Sequence, residues 1–409
     1  MHRDAHESTA KLITCAFLTL LLIAGPAGAQ KQYGPGVTDT EIKIGQTHPY
    51  SGPVSALGTM GKTQLAYFEK VNAEGGINGR KVKLLSLDDG YSPPRTVEQV
   101  RKLVEQEEVL LLFSTNGTPT NTAIHKYMNA KKVPQLFIAA GASKWGDPKH
   151  YPWTTAFDLP WLHQAKILAA YLLKEHPNAK IGVLYQNDDA GKDYLGGLKE
   201  ALGNQAAKMI VAEQSYEVTD PTVDQQITSL KASGADTFFN ITTPKFAAQA
   251  IRKAYDIGWR PLQFLTAVSS SVSSVLTPAG LDKSVGVMSV AYLKDPSDPQ
   301  WADTTELKEY LAFMHKYYPE GNPTDMLNVY GYTSAQTMAY VLKRCGNELT
   351  RENALKQATS IQNLELPMLL PGIRINTSPT DYFPLEQMQL MRFDGKRWVR
   401  FGEVFDAHF

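Results

Sequence analysis

Between Thr38 and Gly90 the apolar pattern changes period twice. A strand over residues 42–46 empties into a polar loop of Gly, Ser and Pro, residues 47–58, followed by an amphipathic helix, a glycine turn and a second strand over 82–87. This order predicts one βαβ unit. In open α/β sheets ligands collect beyond the carboxyl ends of strands, so the 47–58 loop is a ligand-facing candidate. Neither GxGxxG nor GxxxxGK[ST] occupies it, so its glycines are not set to cradle a pyrophosphate or triphosphate.

The alternation continues. A helix is expected over 93–107, where Val97, Val100 and Val104 form one apolar stripe and Pro93-Pro94 sits in the first turn. A strand over 110–113, a helix over 118–130 and a strand over 135–138 complete a first parallel sheet. After Phe157-Asp158 the pattern restarts: helices over 161–174, 190–202, 221–232 and 244–257 alternate with strands over 181–185, 209–214, 237–241 and 262–266. The expected fold class is therefore α/β, with two doubly wound parallel-sheet lobes. On pattern alone these could be consecutive, independent domains.

The 409 residues, 43% of them hydrophobic, suffice for two such cores. Lys+Arg and Asp+Glu are equal at 41, which gives no basic field for nucleic acid or an anionic membrane, so a small-molecule partner is expected. Arg3 and Lys11 precede an apolar run over 12–24 and then Ala27-Gly28-Ala29, so residues 1–29 read as a cleaved export signal; the run is shorter than a spanning helix requires. Cys15 lies inside that run, which argues against a lipid anchor. The mature chain is expected free in the periplasm, without direct membrane insertion, as a monomer. Cys345 is then its one cysteine, so no intrachain disulfide forms.

Four short segments in order, Ile42-Lys43-Ile44-Gly45, Ser51-Gly52-Pro53, Asn72-Ala73-Glu74-Gly75-Gly76-Ile77-Asn78-Gly79 and Asp88-Asp89, resemble the opening of the leucine/isoleucine/valine-binding family of type I periplasmic binding proteins. Lys131-Lys132-Val133-Pro134, Ile181-Gly182-Val183-Leu184-Tyr185 and Gly191-Lys192-Asp193-Tyr194 extend the likeness. The resemblance implies three hinge crossings, two of them near residues 289–291 and 367–372, with lobe one built from 30–157 and 290–369 and lobe two from 158–289 and 370–409. It also implies capture of a solute for the membrane permease of an ABC importer, or else a sensor domain for amides or organic acids that acts through a partner protein.

Strand 110–113 ends in Ser114-Thr115-Asn116-Gly117-Thr118-Pro119, a hydroxyl-rich helix start whose N–H groups can receive an anion, or which simply caps its own helix. By resemblance this loop binds a ligand carboxylate through Thr115, with Asn116 and Gly117 beside it. Gly141, Ala142 and Ser143 fall on the second carboxylate loop. Leu57, with Tyr50 nearby, and Ala190 take positions where the family has covering aromatics. Thr243 and Val268 stand where the family has the tyrosine and acid that hold an ammonium. Val268 cannot pair with a cation, and an unpaired buried ammonium is costly. The expected ligand is therefore a small carboxylate with an apolar or aromatic body, although Asp188 or Asp189 would still permit an amino acid. Tyr91, Trp145, Trp161, Tyr194 and Tyr330 lie where rings line a cleft or pack a core.

No HExxH, His-x-His or clustered cysteine pattern suggests a metal, no cofactor motif is present, and no GxSxG elbow suggests a nucleophile. Asp88-Asp89 cannot enter one site together from a regular strand, because neighbouring residues face opposite ways. Binding, not catalysis, is expected.

Overall fold

The computed structural model describes residues 31–406. The export signal expected over 1–29 lies outside the described residues. Among the described residues two large sheets hold the fold, beside a two-stranded parallel ribbon of Gln32–Tyr33 and Glu348–Leu349. The first contains β1 (Glu41–His48), β2 (Lys81–Asp88), β3 (Leu112–Phe113), β4 (Gln135–Ile138) and β5 (Thr154–Ala156), all parallel, in the order β2-β1-β3-β4-β5. The second contains β6 (Ile181–Gln186), β7 (Ile210–Tyr216), β8 (Thr237–Ile241), β9 (Leu262–Leu265), β10 (Met288–Ala291), β11 (Gln387–Phe393) and β12 (Trp398–Asp406). Its order is β12-β11-β10-β9-β8-β6-β7, with β11 and β12 antiparallel on one edge.

Within each sheet the parallel strands follow one plan: second, first, third, fourth, fifth. Strand order therefore reverses between the first and third strands of each lobe, the switch point where α/β folds open a crevice. Helices α1 (Gly58–Ala73), α2 (Pro93–Arg101) and α3 (Thr118–Ala130) cover the first sheet, and α4 (Trp161–Glu175), α5 (Asp189–Leu202), α6 (Asp224–Ala232) and α7 (Pro244–Asp256) the second. After β10 come α8 (Thr305–Tyr317), α9 (Met326–Cys345) and α10 (Arg351–Ala358). Helix α9 packs on α1, where Gly331 lets the backbones close in, since a Cβ there would lie 2.7 Å from the Met60 carbonyl oxygen. Across the same seam Gln64 donates to Ser114 Oγ and Ser334 Oγ at 2.8 and 2.9 Å.

Most expected elements shift by one or two residues at an end, and three differences bear on packing. The helix expected over 93–107 is α-helical to Arg101 and then widens into one π turn, Lys102–Gln106, which keeps Leu103 and Val104 buried. The strand expected from 110 pairs only at Leu112–Phe113, although the Leu110 N–H already donates to the Lys43 carbonyl at 2.9 Å. The helix expected from Pro221 begins at Asp224. Near the second sheet, Leu293 and Leu369 form an antiparallel bridge, and the Leu370 N–H donates to the Tyr292 carbonyl at 2.9 Å. Cys345 is buried at the end of α9, and burial pushes its thiol up to about 12. No described helix is long and apolar enough to cross a membrane.

Candidate functional site

The carboxyl ends of the two sheets face each other across a cavity with about 1260 Å³ of empty space, partly continuous with solvent. Lobe one supplies Leu57, Met60, Tyr91, Asn116, Gly117, Ala139 and Ala140. Lobe two supplies Gln186, Ala190, Tyr194, Ile241, Thr243 and Val268. Between them lie Asp158 and Tyr292 on the connecting segments and Trp161 at the start of α4, with Met326 and Tyr330 from α9. The walls are mostly aliphatic and aromatic, with a few polar groups, as small-molecule pockets usually are.

The Asp88-Asp89 pair builds one rim. Asp88 accepts from the Tyr50, Ser51 and Gly90 N–H groups at 2.9, 3.1 and 3.0 Å and pairs with Arg95 at 3.1 Å. Asp89, fully buried, accepts from the Tyr91 N–H at 2.9 Å and Thr96 Oγ1 at 3.0 Å. These bonds hold Tyr91 at φ 61, a left-handed conformation costly for a tyrosine, with its ring in the cavity. Gly117, at φ 90, must be glycine, because a Cβ would sit 2.4 Å from that ring. Gly117 opens α3 with no side-chain cap, and Asn116 Oδ1 beside it is buried without a partner.

Of the residues singled out from sequence, Leu57, Asn116, Gly117, Ala190, Thr243 and Val268 line the cavity together. Six others do not, and each is occupied elsewhere. Tyr50 Oη bonds Ser86 Oγ. Thr115 donates to Asn121 Oδ1 at 2.5 Å. Gly141 lies under Trp161, where a Cβ would come 2.4 Å from the Leu159 carbonyl oxygen and 2.7 Å from the indole. Ala142 and Trp145 pack into a small core with Ile138, Ala140 and Ala156, and Trp145 is 0% exposed. Ser143 turns across the cleft: its N–H donates to Asp193 Oδ2 at 3.1 Å and its hydroxyl to Asp193 Oδ1. Lys144 follows it across, 2.6 Å from Asp189 on lobe two.

Ser143 thus joins the lobes. Replacing it with alanine strands the half-buried Asp193, and we expect solute affinity to fall by about 1 to 3 kcal/mol. A double-mutant cycle with Asp193→Ala checks this: the two losses are expected to be strongly non-additive. Additive losses would remove Ser143 from the latch.

The two acids that kept an amino acid open are likewise engaged. Asp188 caps α5, accepting from the Ala190 and Gly191 N–H groups at 2.9 and 3.2 Å, while Asp189 holds Lys144. The sequence reading missed Asp158, a carboxylate in the otherwise apolar run Ala156-Phe157-Asp158-Leu159-Pro160, and that isolation was its one signal. Asp158 lines the cavity, and enclosure by protein pushes its carboxyl up to about 7. His48, buried behind the loop, is held neutral, with burial lowering it to about 4. Among the described residues no group of three or more His, Cys, Asp or Glu could hold a metal.

A family model described as periplasmic binding protein matches residues 41–397. The chain belongs to that family. This periplasmic binding protein is 25% identical over 368 residues to "Leu/Ile/Val-binding protein homolog 7" of Brucella suis, covering 87% of this chain and 86% of that one. Its fold matches a Thermus thermophilus branched chain amino acid ABC transporter structure with bound valine, with a TM-score of 0.82 at 15% identity over 91% of this chain and 98% of that one. It also matches a solute binding protein of an ABC transporter from Rhodopseudomonas palustris in complex with 3,4-dihydroxy benzoic acid, with a TM-score of 0.74 at 19% identity over 90% and 98% of the two chains. Two parallel-sheet lobes of type I periplasmic binding proteins are thus the architecture.

Proposed function

We propose that this periplasmic binding protein is the solute receptor of an ABC importer, capturing a small carboxylate-bearing ligand with an apolar or aromatic body as its lobes close. The observation that carries this reading is the cavity where the carboxyl ends of both sheets meet, apolar around its walls and polar at a few points. The carboxylate is assigned to the start of α3, where Asn116 and Gly117 line the cavity and the first-turn N–H groups carry the helix's positive end. The body lies among Leu57, Met60, Tyr91, Trp161, Tyr194 and Val268.

The segments after β5 and β10 and around Leu369 act as the hinge, absorbing closure in a few backbone angles. Ligand bound to both lobes favours the closed form by its differential affinity, and that form is the one presented to the permease. Export by residues 1–29 leaves the receptor free in the periplasm. Valine and dihydroxybenzoate, named with the two related structures, both fit the proposed ligand class.

A thermal-shift panel of amino acids, aromatic acids, short aliphatic acids and amides, followed by small-angle scattering, tests the proposal. At a hundredfold excess over Kd, a true ligand stabilises the protein by about 2.7 kcal/mol, and it should also reduce the radius of gyration. A panel in which no carboxylate stabilises, or in which stabilisation comes without compaction, would refute it.

A further inference from the structure

Among the described non-glycine residues at positive φ, Tyr91 alone lines the cavity. A left-handed tyrosine persists only where its surroundings over-determine it, and such positions gather at ligand clamps. Three features do so here. The buried Asp89 carboxylate accepts the Tyr91 N–H, the Ser92 N–H closes the same turn on the Asp89 carbonyl at 2.9 Å, and Gly117 leaves room for the ring. The hydroxyl-bearing carbon of that ring, Cζ, lies 2.9 Å from where a Gly117 Cβ would stand, so the phenol is placed at the start of α3.

On the other side of the phenol is lobe two. Gln186, at the end of β6, donates from Nε2 to Tyr91 Oη at 3.5 Å, a stretched bond across the cleft. The amide is fixed from behind. Its Oε1 accepts from Tyr216 Oη at 3.2 Å, its Nε2 also donates to the Asp188 carboxylate, and the Thr243 N–H donates to Tyr216 Oη at 3.0 Å. An amide nitrogen has only hydrogens to offer, so Tyr91 Oη accepts there and its own hydrogen turns elsewhere. No described residue accepts that hydrogen. Burial, and next the Asp188 charge, raise the phenol far above its usual range, so the hydrogen stays on the oxygen at neutral pH.

Resting on the assignment of the solute carboxylate to the start of α3, we propose that Tyr91 couples capture of that carboxylate to closure of the lobes. Its O–H donates to the carboxylate while its oxygen accepts from Gln186, so the solute is tied to lobe two through a side chain of lobe one. A bond to a charged acceptor is strong, and a hydroxyl that donates becomes a better acceptor, so each bond favours the other. The stretched bond to Gln186 is the one that closure shortens. Gln186 is then a positioning residue that acts through Tyr91. The competing role for the ring is to fill space beside Gly117, which a phenylalanine would do equally well.

The experiment is calorimetry on the mature protein with benzoate, 3-phenylpropanoate, 4-methylpentanoate and leucine, in wild type, Tyr91→Phe, Gln186→Leu and the double variant. Phenylalanine keeps the ring, the turn and the packing on Gly117, so the urea midpoint of the free Tyr91→Phe protein is expected to stay within error of wild type. Affinity for the tightest-binding acid is expected to fall at least tenfold in that variant. Gln186→Leu is expected to weaken binding at least threefold in the wild-type background and less than twofold in Tyr91→Phe. Unchanged affinity in Tyr91→Phe, or losses that simply add, overturns this inference alone and leaves the carboxylate receptor standing. If none of the four acids binds wild type, the solute class assigned to the cavity is wrong and this inference falls with it. Should Gln186→Leu fail to fold, Tyr91→Phe decides alone, through affinity set against the urea midpoint.

Discussion

Asp158→Asn makes the ligand-free protein more stable at pH 8, by on the order of 2 to 4 kcal/mol, and changes it little at pH 4. The folded carboxyl titrates near pH 7, while an unfolded aspartate titrates near 3.9. Between those values the folded state binds more protons than the unfolded one, so stability falls as pH rises from about 4 to 7, and the full penalty persists above 7. Asparagine is neutral throughout and carries none of this cost. The lower end of the range allows for water in the cavity, to which Asp158 is partly open. Urea denaturation followed by circular dichroism at both pH values measures it, and the difference between variant and wild type cancels the other carboxylates. Destabilisation by the variant at pH 8 would mean that the carboxylate has a favourable partner within the protein.

Trp145→Ala is expected to cost about 3 to 5 kcal/mol of stability while leaving solute affinity within a few-fold of wild type. The indole is fully buried among Ile138, Ala140, Ala142 and Ala156, with His125 edge-on at 5.0 Å and the Lys144 ammonium 4.9 Å from its ring centre. Truncation leaves a void that this small core, tied down between β4 and β5, cannot collapse to fill. A ring that touched the solute would give the reverse result, large in affinity and small in the denaturation midpoint of the free protein. Titration of a panel ligand beside a denaturation curve separates the two.

The fold was legible because its cause is local. The apolar strands and the helices between them repeat at their own periods, and the α3 boundaries, 118–130, followed from a hydroxyl-rich start and Pro119 in the first turn. Where a helix ends for packing reasons, as at Arg101, the valine stripe gave no warning, since Leu103 and Val104 stay buried through the π turn. The cleft was legible where backbone position decides it. Asn116 and Gly117 follow a strand end, and a strand end at a switch point faces the crevice whatever its side chains.

What remained hidden depends on which side chains meet across long separations. Ser143 reads as a ligand donor until Asp193, fifty positions later, arrives to accept its hydrogen bond. Asp188 reads as a free acid until it caps its own helix. Asp158 has the opposite history: its isolation in an apolar run is its one local mark, and only the convergence of the two connecting segments with α9 encloses it and leaves it without a partner among the described residues. Val268 shows how a correct local statement can mislead, because a missing acid at one position does not mean that the cavity lacks one.

Cys345 offers a practical dividend. Its thiol is sealed at the end of α9 and resists ionisation. In a chain produced without residues 1–29, and so without Cys15, two thiols engineered onto the outer surfaces of opposite lobes would therefore carry maleimide fluorophores without background labelling, so that energy transfer within single molecules can follow each opening and shutting as solute comes and goes.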